Sequence, residues 1–305
     1  MPNKKKSKPA ARKPGSAKTR ARKNKKKRAR KKPRATAVQQ ASAAVLDARK
    51  LKDLYSSMLK CRMLGDKMRQ LSSAQGAGDG NKIAPGREAV LAGAVAHALP
   101  EDAVFAVENQ LLAEFIFSQG TQVKALLAPF SQAADSAAGP AAATPYAAHI
   151  ALARGMSKAN EMKDSKKVCF VFCGDDAAAL AFQLDTLGLV AKHKLPLVCL
   201  IETGFSRFEQ DQRSWNVAGQ DASSHFPRIA VDGADVVAVF RVAQEAVRRA
   251  RGGHGPSLIQ CVMPDGHGQN DDPLAFMERY LRRRKLWSNG WRKKIVENFQ
   301  RELVR

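Results

Sequence analysis

Acidic residues and a histidine follow three separate apolar runs of this chain of 305 residues. Asp175 and Asp176 come just after the first run, and Glu202 comes just after the second. His267 stands between two glycines after the third. An imidazole titrates near neutral pH, so His267 suits proton transfer or the binding of a substrate carboxylate. Two of these residues also have a plainer interpretation, in which Asp175 caps the helix that follows it and His267 bonds backbone carbonyls.

The apolar runs alternate with helical periodicity, which predicts how these residues are positioned. Short, nearly continuous apolar strands between amphipathic helices are typical of a parallel sheet that is covered on both faces, an α/β fold. Ligands of such sheets bind beyond the carboxyl ends of the strands, so we expect the acids and the histidine to converge on one cleft. The predicted strands are 168–173, 197–201, 229–231 and 257–263, and the predicted helices are 45–71, 86–97, 109–119, 147–162, 178–192 and 235–251.

The amino-terminal segment has a different composition. Residues 1–34 hold eighteen Lys and Arg and no acid, so they account for +18 of the formal charge of +24. A run of Lys, Arg, Ala and Pro has too few apolar side chains to offset the entropy of ordering, so residues 1–40 are predicted to be a disordered tail and residues 41–305 one domain. Such a tail binds polyanions such as nucleic acid without reading sequence. A solubilising extension and a nuclear or nucleolar address are the alternatives. The cations assigned to polyanion binding are Lys4, Lys5, Lys6, Lys25, Lys26, Lys27, Arg28, Arg30, Lys31 and Lys32.

Cysteine usage and hydropathy indicate the kind of cellular compartment that is expected. The five cysteines lie mostly in apolar runs, where free cysteine behaves as a small hydrophobe, and this predicts a reducing compartment. No apolar run approaches the roughly eighteen residues of a membrane span, and the amino terminus does not resemble a signal peptide. A cytoplasmic protein, with possible association with the nucleoid, is expected.

A series of motifs resembles the alpha subunit of thiamin-diphosphate-dependent 2-oxo acid dehydrogenases, which act on pyruvate, branched-chain 2-oxo acids or acetoin. Gly174-Asp-Asp-Ala-Ala-Ala, followed by Lys194-Leu-Pro and a strand ending in Glu202, is similar to the family's thiamin-diphosphate motif. Four further motifs stand in the family's order within residues 45–285. They are Gly86-Arg-Glu-Ala-Val, Val231-Asp-Gly-Ala-Asp-Val, Gly255-Pro-Ser-Leu-Ile, and Gly266-His267 with Asp271-Asp-Pro273. In the same order, the family has Gly-Gln-Glu-Ala-Val, Val-Asp-Gly-Asn-Asp-Val, Gly-Pro-Thr-Leu-Ile, and Gly-His-Ser with Asp-Asp-Pro.

The resemblance implies a thiamin-diphosphate-binding fold, thiamin diphosphate and Mg²⁺ as cofactors, and assembly with a beta subunit or as a homodimer. A lipoyl acyltransferase is a further implied partner. Asp175 matches the family's metal ligand and His267 its active-site histidine. Asp176, Glu202 and His149 fall at positions near the cofactor.

Three departures from the family pattern predict a degraded cofactor site. Gly204 stands where the family has a metal-binding asparagine, and Glu108-Asn109 stand nearest to its diphosphate-binding Tyr-Arg pair. Each lost charge-assisted hydrogen bond costs about 1.5–3 kcal/mol, so together they weaken binding by more than about a thousandfold. Asp176 adds a carboxylate, and two unit charges about 4 Å apart repel by about 4 kcal/mol at an effective dielectric of about 20. Two functions therefore stand side by side: an enzyme subunit, and an inactive relative tethered to a polyanion.

Overall fold

A computed structural model describes residues 46–74, 86–106, 110–118, 123–124, 126–127, 147–174, 186–209, 226–264 and 272–304. Its centre is a sheet of five parallel strands in the order β1-β2-β3-β5-β4. The strands are β1 (Ala103–Ala106), β2 (Cys169–Cys173), β3 (Leu197–Gly204), β4 (Arg228–Asp232) and β5 (Ser257–Met263). The prediction of an α/β fold with a parallel sheet is confirmed.

Seven helices surround this sheet in the described residues. They are α1 (Ala48–Ala74), α2 (Glu88–Val95), α3 (Gln110–Phe117), α4 (Ala147–Glu161), α5 (Val236–Arg251), α6 (Pro273–Arg283) and α7 (Asn289–Val304). Residues 186–192 and 205–209 form further helical stretches. Two of the starts follow from the sequence, because Asp235 accepts hydrogen bonds from the amides of Val237 and Ala238, and Asp272 caps α6 with Pro273 as its first residue.

The alternation of side chains along each strand divides the core into two faces. On β2, Phe170 and Phe172 pack with helices α1, α2, α3 and α5. Cys169, Val171 and Cys173 point to the other face, where they pack with α4 and residues 186–192. Helices therefore cover both faces of the sheet, as predicted.

A third cluster joins the outer helices and contains Tyr55 of α1, which is fully buried. Phe240 of α5 and Leu281 of α6 pack into the same cluster. Leu46, the first described residue, packs against it together with Trp287 and Trp291.

Two features differ from the sequence-based predictions. The second predicted strand, which ended at residue 201, continues through Gly204, because β5 pairs with it as far as the partners Gly204 and Met263. Glu202 therefore lies inside β3 and not in a loop after it. Strand β1 and helices α6 and α7 were not predicted at all.

All five cysteines are free and buried, in agreement with their apolar sequence setting. Burial raises the pKa of the Cys169 thiol to about 12, so this thiol is protonated and packs as an apolar group. Among the described helices, none is long and apolar enough to cross a membrane.

Candidate active site at the carboxyl edge of the sheet

The carboxyl ends of β2, β3, β4 and β5 meet at one edge of the sheet because all the strands are parallel. Ligands of open parallel sheets bind at this edge. The described residues there include Gly174 after β2, the last three residues of β3, and Asp232 at the end of β4. The geometry of β3 gives the clearest information about the site.

Glu202 forms an ion pair with Arg87, which is the residue that precedes the first turn of α2. Arg87 Nε lies 2.9 Å from Glu202 Oε2, and the two side chains are 26% and 6% exposed. A buried carboxylate is costly unless a cation and hydrogen bonds compensate it, so Arg87 stabilises Glu202 in place. The pair joins α2 to the end of β3.

The turn that presents Arg87 is held by a second buried carboxylate, Glu88. Glu88 Oε2 accepts a hydrogen bond of 3.0 Å from the backbone amide of Gly86, whose φ of 102° favours glycine. Arg62 of α1 donates to both oxygens of Glu88 and, across 2.8 Å, to Asp272 Oδ1. Burial opposes the charge on Arg62, but hydrogen bonds to Glu88 and Asp272 outweigh it and raise the pKa of the guanidinium. These contacts fix the backbone on which Arg87 stands.

The two residues after Glu202 offer little to a ligand. Thr203 is buried, and its Oγ1 accepts a hydrogen bond of 3.3 Å from Gln260 Nε2 of β5. Gly204 has no side chain. The described residues contain no group of three or more His, Cys, Asp and Glu side chains that could hold a metal ion.

An apolar pocket of about 600 Å³ opens beside the ends of β3, β4 and β5. Its described lining is Phe205, Phe208, Ala230, Val231, Asp232, Val262, Met263 and Pro264. The only charged group in that lining is Asp232, whose Oδ1 accepts a hydrogen bond of 2.9 Å from the amide of Ala234. This side of the edge therefore suits an apolar group better than an anion.

Comparison with known proteins places this chain in a family. The sequence model of the family described as "Dehydrogenase E1 component" matches residues 55–305. The chain belongs to this family. The match includes α1 from Tyr55 onward and the whole sheet, and it therefore includes strand β1 and helices α6 and α7, which sequence reasoning did not predict.

The curated relatives of this dehydrogenase E1 chain are alpha subunits. It is 30% identical over 239 residues to the alpha subunit of acetoin:2,6-dichlorophenolindophenol oxidoreductase of Bacillus subtilis, covering 70% of each chain. It is 30% identical over 167 residues to the chloroplastic pyruvate dehydrogenase E1 component subunit alpha-3 of Arabidopsis thaliana, covering 47% of this chain and 38% of that one. The resemblance to alpha subunits of 2-oxo acid dehydrogenases is confirmed.

A solved structure with a similar arrangement is transketolase from Campylobacter jejuni, with a TM-score of 0.46 and 14% identity. The match covers 69% of this chain and 37% of the transketolase chain.

The structure describes only some of the predicted site residues of this E1 chain. Asp175, Asp176 and His267 lie outside the described residues, as does the whole tail, so their roles stay predictions. His149 lies in the first turn of α4, a helix that packs on β1 and β2. Glu202 lies at the predicted edge, in the ion pair with Arg87.

Sequence reasoning did not identify Arg87 as a residue of the site. It is the second residue of Gly86-Arg-Glu-Ala-Val, where the family pattern has glutamine. The sequence did contain a signal for the ion pair: a positive charge replaces glutamine at this position, and an acid is retained at Glu202.

Proposed function

We propose that this chain is an alpha-type component of a 2-oxo acid dehydrogenase assembly in which the site for magnesium-bound thiamin diphosphate has lost ligands. The observation that carries the proposal is the end of β3, where Glu202 is paired with Arg87 and Gly204 has no side chain. The family membership supports the assembly, and the chemistry of β3 supports the loss of ligands.

The residues of β3 do not fit a divalent cation. Mg²⁺ requires oxygen ligands in nearly octahedral geometry, and one or two of these are usually protein carboxylates. Glu202 is already neutralised by a guanidinium, Thr203 is bonded to Gln260, and Gly204 offers only its backbone. Thiamin diphosphate supplies the decarboxylation chemistry when it is bound to enzymes of this kind.

The predicted site residues then have limited roles. Asp175 remains a candidate metal ligand with no partner from β3, and Asp176 places a second carboxylate beside it in the sequence. His267 remains a candidate for proton transfer or for the binding of a substrate carboxylate. His149 is a candidate ligand contact at the start of α4.

Assembly with a beta subunit is the second part of the proposal. The relatives are named as alpha subunits, and the chain spans 70% of the Bacillus subtilis subunit but only 38% of the Arabidopsis subunit. Phe205 is 50% exposed beside the apolar pocket, and an exposed aromatic side chain next to an apolar pocket is typical of a surface that a partner covers. A homodimer is the alternative, and a lipoyl acyltransferase would be a further partner of the assembly.

The test is to co-express the chain with a beta subunit, measure the mass of the complex by light scattering, and titrate it with thiamin diphosphate and Mg²⁺ in a calorimeter. We expect a mixed complex whose cofactor affinity is more than about a thousandfold below that of an intact E1 component, since several charge-assisted hydrogen bonds are missing. Ordinary cofactor affinity with turnover of a 2-oxo acid would contradict the loss of ligands. A chain that stays apart from every beta subunit tested would contradict the assembly.

The charge of residues 1–34 favours a second function, in which the tail tethers the protein to nucleic acid or another polyanion. Eighteen cations without an acid would bind phosphates by releasing counterions, with an affinity that falls steeply with salt. Association with the nucleoid would follow from the same charge. Deletion of residues 1–40 is expected to remove most of the retardation of DNA at low salt, and unchanged retardation would show that the tail has no such role.

A further inference from the structure

The carboxyl-terminal segment, residues 272–305, carries all of the net positive charge that remains after the tail. Residues 35–271 hold 24 Lys and Arg and 24 Asp and Glu, which sum to zero. Residues 272–305 hold ten Lys and Arg and four Asp and Glu, which sum to +6. The chain therefore has a second cationic segment, and this one contains the helices α6 and α7.

Contacts among α1, α6 and α7 place two cations, one from α6 and one from α1, against two tryptophans. The guanidinium of Arg282 lies 4.7 Å from the centre of the Trp287 ring, and Lys52 Nζ lies 5.4 Å from the centre of the Trp291 ring. The two rings are 6.0 Å apart, and each packs against Tyr55. Cation–π contacts of this kind hold a charge at the surface without neutralising it.

Two more exposed cations lie on α6 and α7. Arg283 in the last turn of α6 and Lys294 in α7, one helical turn after Trp291, are both exposed. Neither forms an ion pair with any described residue. We name Lys52, Arg282, Arg283, Trp287, Trp291 and Lys294 the α6–α7 surface.

We propose that the α6–α7 surface binds the phosphodiester backbone of a nucleic acid. Interfaces with nucleic acid are much more positively charged than those between proteins, which depend on an apolar or aromatic anchor that enters a pocket on the partner. The tryptophans are packed against Tyr55, and Val304 is the one large exposed apolar side chain in the described part of α6 and α7. Charge without a free apolar anchor fits a phosphate backbone better than an acidic protein.

The tail gives the surface a further reason to meet nucleic acid, because both belong to one chain. A polymer held by the cations of residues 1–34 would stay attached to the protein, which raises its effective concentration for a second site on the same chain. The inference thus extends the proposed role of the tail and is independent of the proposed assembly with a beta subunit.

The test uses the full chain and two double variants that lose the same charge. Arg283→Gln with Lys294→Gln changes the surface, whereas Lys163→Gln with Lys192→Gln removes two exposed cations elsewhere. Binding of a fluorescein-labelled single-stranded DNA is measured over a range of salt concentrations. Each phosphate contact contributes about 0.7 to the slope of log affinity against log salt for single strands. The surface variant is expected to lower the slope by about 1.4, and the control variant is expected to leave it unchanged.

A second readout separates the surface from the tail. With Trp215→Phe, the remaining tryptophans are Trp287 and Trp291, and DNA that pairs with Arg282 or Lys52 is expected to change their emission. Equal slopes for the two double variants, or unchanged emission at saturating DNA, would overturn the proposal. So would a loss of affinity for polyglutamate, but not for DNA, in the surface variant. Failure of the tail proposal is recognised separately, by unchanged binding after deletion of residues 1–40.

Discussion

Arg87 and Glu202, which are 115 positions apart in the sequence, meet at 2.9 Å where α2 approaches the end of β3. The carboxylate is almost fully buried and the guanidinium is about one quarter exposed. The ion pair thus places a fixed positive charge from the protein itself at the edge where the family resemblance implies a metal ion.

Removing one partner of this pair is expected to destabilise the fold unequally. Arg87→Gln removes the guanidinium that pairs with the buried Glu202 and is expected to cost about 3 kcal/mol, whereas Glu202→Gln leaves a cation that water reaches and is expected to cost less. The double variant is expected to recover part of the loss. Urea denaturation of all four proteins measures the free energies of unfolding and gives the interaction energy. Equal losses with simple additivity would show that the pair does not act as a unit.

Restoring an amide at the end of β3 is expected to strengthen the binding of Mg²⁺ and thiamin diphosphate. Gly204→Asn, in the complex with a beta subunit, supplies one oxygen ligand, and a charge-assisted contact is worth about 1.5–3 kcal/mol, or about tenfold to a hundredfold in affinity. Calorimetric titration with the cofactor, with and without EDTA, measures the gain. Gly253→Asn, at a turn beyond α5, is the control for an added asparagine, and an equal effect of both variants would refute this account.

His97 is expected to make stability fall with acidity. Burial, which Lys50 and Arg251 reinforce, lowers the pKa of this imidazole to about 4, although its Nε2 bonds the carbonyl of Phe240 at 2.9 Å. The neutral form is favoured in the folded state, so the contribution is complete above the unfolded pKa of about 6.5 and is lost as pH falls through about 4.

The corresponding variant is His97→Gln, which keeps a donor for Phe240 and removes the titration. Urea midpoints between pH 7 and pH 4 are expected to fall less steeply for this variant than for the wild type. His193→Gln, at an exposed position, serves as the matched control. If the urea midpoint of His97→Gln fell with pH as steeply as that of the wild type, His97 would be excluded as the source of the pH dependence.

Asp102 is expected to be a strong determinant of stability. Its fully buried carboxylate accepts a hydrogen bond from Arg251 and bonds of 2.7 Å from the amides of Val168 and Leu99. Asp102→Asn leaves Arg251 without its counter-charge and one amide without an acceptor, so a loss of about 3 kcal/mol is expected. Thermal and urea denaturation measure this loss of stability, with Asp164→Asn, a change at an exposed acid, as the control. A loss of comparable size in Asp164→Asn would contradict the role of Asp102.

The sheet was predictable from sequence because its central strands are short and apolar on both faces. Residues 168–173 and 257–263 have this character, and the helices between them show clear periodicity. Strand β1 has only four residues and is mostly half-buried, so its pattern carries little signal. Helix α6 was missed although Asp272-Pro273 is a recognisable start and Leu274, Met277 and Leu281 recur at helical spacing on its buried side.

The candidate site was predictable only in part. Parallel strands bring their carboxyl ends to one edge, so the position of Glu202 followed from the order of the elements. The partner of Glu202 did not, because a side-chain contact between α2 and β3 depends on tertiary packing that no local pattern encodes. The excess charge of α6 and α7 was visible in the sequence, but its arrangement around Trp287 and Trp291 required the fold.

Arg62 donates hydrogen bonds to Asp272, which caps α6, and to both oxygens of Glu88, whose Oε2 also accepts a hydrogen bond from the amide of Gly86. One guanidinium therefore connects the first turn of α6 mechanically to the turn that carries Arg87. A movement of the first turn of α6 would therefore be passed to the turn that carries Arg87 through hydrogen bonds of Arg62, in addition to the direct packing of α6 on α2.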